Sequence, residues 1–389
     1  MSDLVVVLRM TLVRLGFLAG RWLPLRRRAV LASATAGRLG DNLLAIQAAL
    51  AERAPTVPVT VSAHRPGRGV RGRAAAAIHA VVAGFRLATS RLFVVDDYYF
   101  PIYAVRPRHG TRIVQVWHAS GAFKKMGYSL AGKTFGAEKA VLRRIRIHSN
   151  YDLCLVSAER FIPYYSEAFR LPPDRFTARI GIPRTDGLCN PAWRERAAAA
   201  TRERYGLTDD RRVVLYAPTF RGERTTDARH PAGLDLGHLR TVLGNDHVVL
   251  VRLHPFVRSR LGSDPGLGGF VVDVSDHPDI HELMVVSDVL VTDYSSAIFE
   301  FSLLERPIVF FAPDHEAYER ERGFYLDYSR DLPGPIFERT EPLASYLRDG
   351  AFDTERVARF RDASFDVADG RASQRFVDEI AIPAVEGRR

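Results

Sequence analysis

Short apolar runs alternate with longer segments of mixed polarity along most of the chain. In the first half these runs predict strands at Val30–Ser33, Val57–Val61, Arg91–Val95, Arg112–Trp117, Leu153–Ser157 and Ala178–Ile182. In the second half they predict strands at Val213–Tyr216, Val248–Leu253, Phe270–Val274, Val289–Thr292 and Pro307–Phe311. Strands that alternate with helical segments indicate βαβ units and mainly parallel sheets. The pattern therefore predicts an α/β protein with two consecutive domains of similar size.

Composition marks the domain borders. Residues 191–210 begin with a stretch of Ala, Arg and Glu that lacks a strong apolar face, and we place a linker helix there. The first domain then covers residues 29–190, the second covers 211–370, and 371–389 form a C-terminal tail. Because open parallel sheets bind ligands beyond the carboxyl ends of their strands, we expect the site in a cleft between the domains.

Residues 1–28 predict an interfacial membrane-associating segment. Arg9 and Arg14 interrupt the apolar run 4–19, so it falls short of the ~20 apolar residues of a spanning helix. It also lacks the clean apolar core and cleavage site of a secretory signal. A helix that lies on the membrane, with flanking arginines reaching lipid phosphates, fits this pattern. An amphipathic helix packed on its own domain is the alternative.

The charge of the chain is divided unevenly. The net charge is +10, yet residues 1–190 contain 29 Lys and Arg against 11 Asp and Glu, a net charge of +18, and the remainder has a net charge of −8. This asymmetry indicates that the first half meets an anionic partner, such as an acidic membrane surface. The two cysteines, Cys154 and Cys189, are too few for a disulfide framework and indicate a reducing compartment.

Lysine is confined to one segment. The chain has 51 arginines but four lysines, and these lie within sixteen residues, at Lys124, Lys125, Lys133 and Lys139. The ammonium group is a compact, mobile point charge, unlike the planar guanidinium. We interpret the segment as a phosphate-contacting surface; a solvated loop is the alternative.

Three motifs follow predicted strands in the second half. Ser295 and Ser296 begin a helix after the strand at 289–292, where free N–H groups and the helix dipole favour an anion, and Glu300 lies one turn later. Plain helix capping by serine is the alternative. Arg252 and His254 share one face of a strand end and suit phosphate oxygens. The dipeptide at 218–219 shapes a loop with donors, which alone is a weak signal.

Two motifs lie at predicted strand ends in the first half. His118 follows one strand, and its imidazole beside Lys124 and Lys125 could act as a general base toward a hydroxyl. Arg184 either points into the cleft or pairs with Asp186. Together the motifs supply His, Arg, Lys and Ser but few carboxylates, an inventory suited to stabilising a transferring phosphoryl group. HExxH, CxxC and GxSxG are absent, which disfavours zincins and serine hydrolases.

These blocks resemble the CDP-glycerol glycerophosphotransferase family, the teichoic acid polymerases and primases of bacterial envelopes. The matching stretches are WHASGAFKKMG (117–127), GIPRTD (181–186), LYAPTFRG (215–222), RLHP (252–255) and SDVLVTDYSSAIFEF (287–301). The resemblance implies a GT-B fold, in which two Rossmann-like domains face a central cleft. It also implies a peripheral, monotopic enzyme on the cytoplasmic face of the cell membrane.

The resemblance implies a reaction as well. A polyol phosphate, glycerol phosphate foremost, passes from CDP-glycerol or CDP-ribitol to a hydroxyl of a lipid-linked anionic acceptor, and CMP is released. No cofactor and no metal ligands are expected. Polymerases of the family often have Gly-Thr-Pro after the first histidine, where this chain has Ala119-Ser120-Gly121. This departure counts against a chain polymerase and leaves room for a single-addition primase or a capsule-type transferase.

Carried over by position, the resemblance assigns roles to individual residues. The catalytic histidines fall on His118, the candidate base, and on His254. Glu300 stands where the family usually has Asp. Beside these carried-over positions, our interpretation of the lysine segment has Lys124 and Lys125 hold an anionic acceptor or lipid diphosphate. The remaining substrate-binding positions are Arg184, Pro218, Thr219, Arg252, Ser295, Ser296 and Glu300.

Two alternatives of different classes remain. A GT-B glycosyltransferase that uses a nucleotide sugar would share the fold and differ in its donor. A non-catalytic binder of membranes or nucleic acid would exploit the basic first half. Nucleic acid is not an expected partner, because the chain lacks the interleaved aromatic and basic repeats of stacking surfaces.

Overall fold

A computed structural model describes residues 3–34, 37–64, 67, 69–130, 139–207, 210–222, 229, 231, 233–254, 257 and 265–388. Within these residues the chain forms two six-stranded sheets, and every recorded strand pair is parallel. The prediction of two α/β units is therefore confirmed.

The first sheet is built from the first half of the chain. Its strands are β1 (Arg26–Ser33), β2 (Val59–Ala63), β3 (Ser90–Val95), β4 (Arg112–Gln115), β5 (Leu153–Leu155) and β6 (Phe176–Thr177). The helices of this half are α1 (Asp3–Arg21), α2 (Asp41–Arg53), α3 (Gly69–Thr89), α4 (Phe100–Ala104), α5 (Lys139–Arg144), α6 (Ile162–Phe169), α7 (Asp186–Cys189) and α8 (Pro191–Tyr205). The strand order is β2-β1-β3-β4-β5-β6, so the winding reverses between β1 and β3.

The second sheet follows the helix predicted as a linker, which is α8. Its strands are β7 (Arg212–Tyr216), β8 (His247–Val251), β9 (Val271–Asp273), β10 (Val289–Thr292), β11 (Ile308–Phe311) and β12 (Ile336–Phe337). The remaining helices are α9 (Leu236–Leu243), α10 (Ile280–Val286), α11 (Ala297–Ser302), α12 (His315–Arg322), α13 (Thr340–Asp349), α14 (Thr354–Ser364), α15 (Ala372–Arg375) and α16 (Ile382–Glu386). The order β12-β11-β10-β7-β8-β9 reverses between β7 and β10.

One predicted strand is wrong. The segment Ala178–Ile182 is not a strand, because the chain turns directly after β6: the Gly181 N–H donates to the carbonyl of Ala178, and Gly181 has a φ of +78°. Ile180 and Ile182 are nevertheless buried. Their apolar character reflects packing in the core and not strand pairing, so apolar spacing alone could not separate the two cases.

The C-terminal segment returns to the first domain. A π-helical turn at Phe376–Ala381 joins α15 to α16, and Phe376 and Ile380 share one core with Leu31 of β1 and Leu92 of β3. The segment predicted as a tail therefore covers one face of the first sheet.

An apolar junction joins the two domains. Phe123 of the first domain lies 5.1 Å from Phe324 of the second, ring centroid to centroid, and Phe161 lies 5.6 Å from Phe299 in the same way. Lys124 and Phe324 form an antiparallel bridge. These contacts fix the carboxyl edges of the two sheets beside each other.

Helix α1 packs on α3 by close backbone approach. A Cβ added to Gly84 would lie 2.0 Å from the carbonyl oxygen of Val13, and one added to Gly16 would lie 1.8 Å from that of Val81. Only glycine permits this separation. Among the helices of the described residues, none is both long and apolar enough to cross a membrane.

A buried histidine gives the fold a pH-dependent stability. His148 is stacked on Phe169 with ring centroids 3.8 Å apart, and the residue is fully buried. Burial lowers the pKa of His148 from 6.5 to about 3, so its ring is neutral in the folded chain. The unfolded chain takes up a proton near the ordinary value, which favours unfolding in acid.

We expect the free energy of unfolding to fall as the pH drops from 6.5 toward 3, with a slope from this group of up to about 1.4 kcal/mol per pH unit. Urea unfolding at several pH values measures it. His148→Asn keeps a residue tolerant of the left-handed backbone (φ +58°) and should flatten the profile. His238→Asn, at a half-exposed position, is the matched control. An unchanged slope in His148→Asn would contradict this account.

Candidate active site

The second sheet has its topological switch point, where the winding direction reverses, between β7 and β10. The backbone N–H and the hydroxyl of Thr219, which follow β7, both donate to Oδ1 of Asp293, each at 2.8 Å, and Asp293 follows β10. Arg221 lies 2.9 Å from Oδ2 of the same carboxylate. Pro218 and Thr219 thus lie at the crevice, but the Thr219 hydroxyl is already used to join the two loops. Asp293 sets the shape of this edge.

The serine pair lies at the start of α11, as predicted. The Ser295 hydroxyl accepts the N–H of Ala297 at 3.2 Å, which is ordinary capping. Ser296 is the N-cap residue by position, and its side chain makes no capping hydrogen bond. Both serines are half-buried. The two hydroxyls therefore have different surroundings, and Ser296 is the one not used by the helix.

Arg252 and His254 lie beyond the end of β8, which stops at Val251. The prediction that both side chains share one face of a strand end is therefore wrong, because neither residue is in the strand. Both nevertheless lie near the crevice: the Arg252 N–H donates to the carbonyl of Tyr216 at the end of β7, and the His254 ring lies 4.8 Å from that of Phe220, centroid to centroid.

The surroundings of Arg252 combine charges from both domains. Burial lowers its pKa most, and Arg184 and Arg38 of the first domain lower it further, while Asp279 and Asp41 oppose the shift. Its Nε is buried without a hydrogen-bond partner among the described residues.

His254 is surrounded by cations. Burial, followed by Lys124, Arg252 and Arg322, lowers its pKa to about 4. The ring is therefore neutral near pH 7 in the unliganded protein. An anion bound among these cations would favour its protonation.

In the first sheet, a strained turn exposes His118. Strand β4 ends at Gln115, whose side-chain oxygen accepts the N–H of Trp117, and Trp117 adopts a left-handed φ of +53°. The His118 ring stacks on that of Trp117, with centroids 4.4 Å apart, and its side chain is 55% exposed. A buried indole thus supports an imidazole that solvent and an acceptor can reach.

Two carboxylates, Asp96 and Asp97, directly follow β3 and lie beside this histidine. Asp97 Oδ1 lies 3.8 Å from Nδ1 of His118. Asp96 accepts the N–H of Gly40 at 3.0 Å, and burial raises its pKa to about 6. Neither carboxylate belongs to one of the motifs, although both directly follow a buried strand, a position that is typical of site residues.

Asn42, which none of the motifs includes, joins the two first-domain loops that carry site residues. Its amide N–H groups donate to the carbonyls of Val116 and Trp117, at 3.1 and 2.9 Å, and its oxygen accepts the N–H of Arg184 at 2.9 Å. The residue is 1% exposed. A buried amide that makes three such bonds orients the chain on both sides of the cleft wall.

Arg184 points toward the second domain. It donates to the carbonyl of His118 at 2.8 Å and pairs with Asp41 at 3.1 Å. The alternative pairing with Asp186 is wrong, because the oxygens of that carboxylate accept the N–H groups of residues 372 and 373. Arg184 lies within a short 3-10 turn, Pro183–Thr185, and not at a strand end.

Glu300 is buried at the domain junction. It is 2% exposed; its Oε1 accepts the Ser120 hydroxyl at 2.8 Å and lies 3.7 Å from Nε of Arg184. Its Oε2 and the Nε of Arg184 are buried without hydrogen-bond partners among the described residues. Glu300 therefore bridges the two domains.

The structure describes part of the lysine segment. Lys124 and Lys125 are half-buried at the junction, and Lys125 donates its N–H to the carbonyl of Gly323. Lys133 lies outside the described residues, and Lys139 begins α5. Among the described residues, no group of three or more His, Cys, Asp or Glu could hold a metal ion.

Known proteins share both the sequence and the fold. The family model for CDP-Glycerol:Poly(glycerophosphate) glycerophosphotransferase matches residues 20–382. A teichoic acid ribitol-phosphate primase of Bacillus spizizenii is 37% identical over 91% of this chain and 90% of its own length. A teichoic acid poly(ribitol-phosphate) polymerase of the same species is 36% identical over 78% of this chain, which spans about half (48%) of it.

The solved structure of the wall teichoic acid polymerase TagF superposes with a TM-score of 0.80 at 24% identity, covering 99% of this chain and 95% of that one. This likeness confirms the GT-B-like arrangement of two Rossmann-like domains. The family match over most of the chain confirms the resemblance inferred from its motifs. The chain belongs to the CDP-glycerol:poly(glycerophosphate) glycerophosphotransferase family.

Proposed function

We propose that this enzyme adds a single polyol phosphate, taken from CDP-ribitol or CDP-glycerol, to a hydroxyl of a membrane-linked acceptor in the synthesis of a teichoic-acid-type polymer. The observation that carries the proposal is the junction of the domains at Arg184, whose Nε lies 3.7 Å from Oε1 of Glu300, together with the nearby Arg252, whose pKa Arg184 lowers. The near full-length match to a primase, and the Ala119-Ser120-Gly121 sequence, support single addition over polymerisation.

The donor diphosphate binds at the switch point of the second sheet in this proposal. Arg252 and the start of α11 at Ser296 supply donors there, and Lys124 reaches across from the first domain, close enough to lower the pKa of His254. Phosphate oxygens would satisfy the buried Nε of Arg252 and of Arg184. The His254 ring is neutral without ligand, and the negative charge of a bound diphosphate would favour its protonation.

The chemistry is an in-line displacement at phosphorus. The acceptor hydroxyl oxygen attacks the phosphorus that carries the polyol, and its proton passes to His118. The new P–O bond gives a phosphodiester, while the anhydride P–O bond breaks and its electrons leave with CMP. The surrounding cations stabilise the charge that develops on the transferring group. Lys125 holds the anionic acceptor on the first-domain side.

We also propose that the enzyme binds the membrane as a peripheral protein through α1. The solvent-facing stripe of this helix is apolar: Leu4, Leu8, Leu15, Leu18 and Trp22 are between 51 and 87% exposed. Two of its arginines contact the protein: Arg9 lies over the ring of Phe100, and Arg14 donates to the carbonyl of residue 104. An apolar face exposed in this way fits the interface of a bilayer.

The donor and the number of additions are tested by incubating the enzyme with a prenyl-diphosphate-linked acceptor and, in separate reactions, CDP-ribitol, CDP-glycerol or a UDP-sugar. We expect CMP release with a CDP-polyol and a product larger by one polyol phosphate in mass spectrometry. A ladder of products would contradict single addition. Transfer from the nucleotide sugar alone would contradict the proposed chemistry.

His118→Ala should lower the rate of transfer by roughly 10²–10⁴-fold, the usual contribution of a general base, and leave CDP-polyol binding largely intact. Calorimetry measures the binding, and CMP release measures the rate. His109→Ala, at another exposed histidine of the same domain, is the matched control. Loss of donor binding in His118→Ala would overturn the role as base.

Asn42→Asp should lower kcat by about 10²-fold, because its carboxylate would face two carbonyls and displace the His118 loop. The rate is measured under conditions in which circular dichroism shows that the variant is folded. Asn190→Asp, whose oxygen still caps α8, is the matched control. An unchanged kcat together with a lowered stability would reduce Asn42 to a purely structural role.

Leu8→Gln combined with Leu15→Gln should shift the enzyme from vesicle-bound to free in flotation, because two apolar side chains leave the interface. Val70→Gln with Ile78→Gln, at exposed apolar positions of α3, is the comparison pair. Retained flotation after the α1 changes would contradict binding through this stripe.

A further inference from the structure

A solvent-open groove of about 1000 Å³ lies beside the apolar stripe of α1 and is not used by the reaction proposed above. It runs between the end of α1 and the segment Tyr103–His109. Arg14, Arg21, Arg106 and Arg108 line it, and none of its described lining residues is acidic. Four guanidinium groups around one groove form a site for an anion.

The sequence around the groove does not offset this charge. No Asp or Glu occurs between Asp3 and Asp41, and none occurs between Asp97 and Glu138. The positive potential of the groove is therefore not neutralised from within either segment that forms it. An anionic occupant is favoured over a neutral or cationic one.

Two of the four arginines are held by the backbone. Arg14 donates its Nε to the carbonyl of residue 104 at 3.0 Å, and Arg108 donates Nη1 to the carbonyls of residues 23 and 88, each at 2.7 Å. These bonds fix the groove walls. Arg21 and Arg106 are exposed to solvent at the groove, where their guanidinium groups can meet a ligand.

The position of the groove separates it from the reaction. Trp22 precedes β1, and Arg106 precedes β4, so the groove lies at the amino-terminal edge of the first sheet. His118 follows β4 at the opposite edge. Leu18 and Trp22 line the groove and also end the exposed apolar stripe. The groove thus lies at the boundary between the apolar face and a strongly basic surface.

We propose that this groove binds the headgroup phosphate of an anionic phospholipid, with Arg21 and Arg106 contacting the phosphate and with Trp22 and Leu18 among the upper acyl chains. The inference rests on the proposed peripheral membrane association and deepens it by naming the lipid class. A bilayer phospholipid fits better than a free phosphate because the site is continuous with exposed apolar side chains.

The test compares vesicles of phosphatidylcholine alone with vesicles that also contain phosphatidylglycerol. Arg21→Gln combined with Arg106→Gln should weaken binding to the phosphatidylglycerol vesicles by roughly 25-fold, since each basic group near an anionic surface contributes about a fivefold effect. Arg26→Gln with Arg27→Gln, exposed arginines at the start of β1, remove the same charge outside the groove. CMP release with a soluble acceptor should be unchanged in both double variants.

A clearly larger loss in the groove variant than in the β1 variant, with no loss on phosphatidylcholine alone, supports the site. Arg21→Lys with Arg106→Lys should then bind with intermediate strength, because an ammonium cannot make the bidentate phosphate contact. Equal losses of vesicle binding in the two double variants would show that the attraction is diffuse. This result would overturn the groove as a binding site but not the proposed membrane association. Competition by inorganic phosphate at equal affinity would overturn the lipid as its ligand. Wild-type enzyme that binds neither vesicle would overturn the membrane proposal itself.

Discussion

The cleft of this enzyme depends on two half-buried arginines near the domain junction, Arg184 of the first domain and Arg252 of the second. Burial lowers the pKa of Arg252 most, and the Arg184 cation lowers it further. Asp41 and Asp279 oppose part of this repulsion, yet an Nε atom of each arginine has no hydrogen-bond partner among the described residues. Such an arrangement is completed by an anion, and a diphosphate has the charge and the oxygens to do so.

Topology explains why these groups meet. The winding of the second sheet reverses between β7 and β10, and that of the first between β1 and β3, so each sheet opens a crevice at its carboxyl edge. The aromatic junction around Phe123 and Phe324 holds the two edges together. Asn42 in the first domain and Asp293 in the second have similar structural roles. Each is buried, and its side chain hydrogen-bonds a neighbouring loop and so holds two loops together.

Much of this organisation could be predicted from the sequence, and the exceptions have physical causes. Strand positions followed apolar runs, but Ala178–Ile182 is apolar because of core packing, a distinction that local pattern does not contain. The motifs located most of the residues around the cleft. They missed Asn42, Asp97 and Asp293, whose roles arise from contacts with residues distant in sequence. The motif located Glu300 as well, but not its contact with Ser120, which lies 180 residues away.

The central claim is tested most directly by determining where the diphosphate of a CDP-polyol binds, in a crystal of the His118→Ala variant soaked with CDP-ribitol. The account predicts phosphate oxygens within hydrogen-bonding distance of both Arg184 and Arg252, with the two domains in contact as described. A diphosphate bound away from these arginines, or held by one domain while the other turns away, would contradict it.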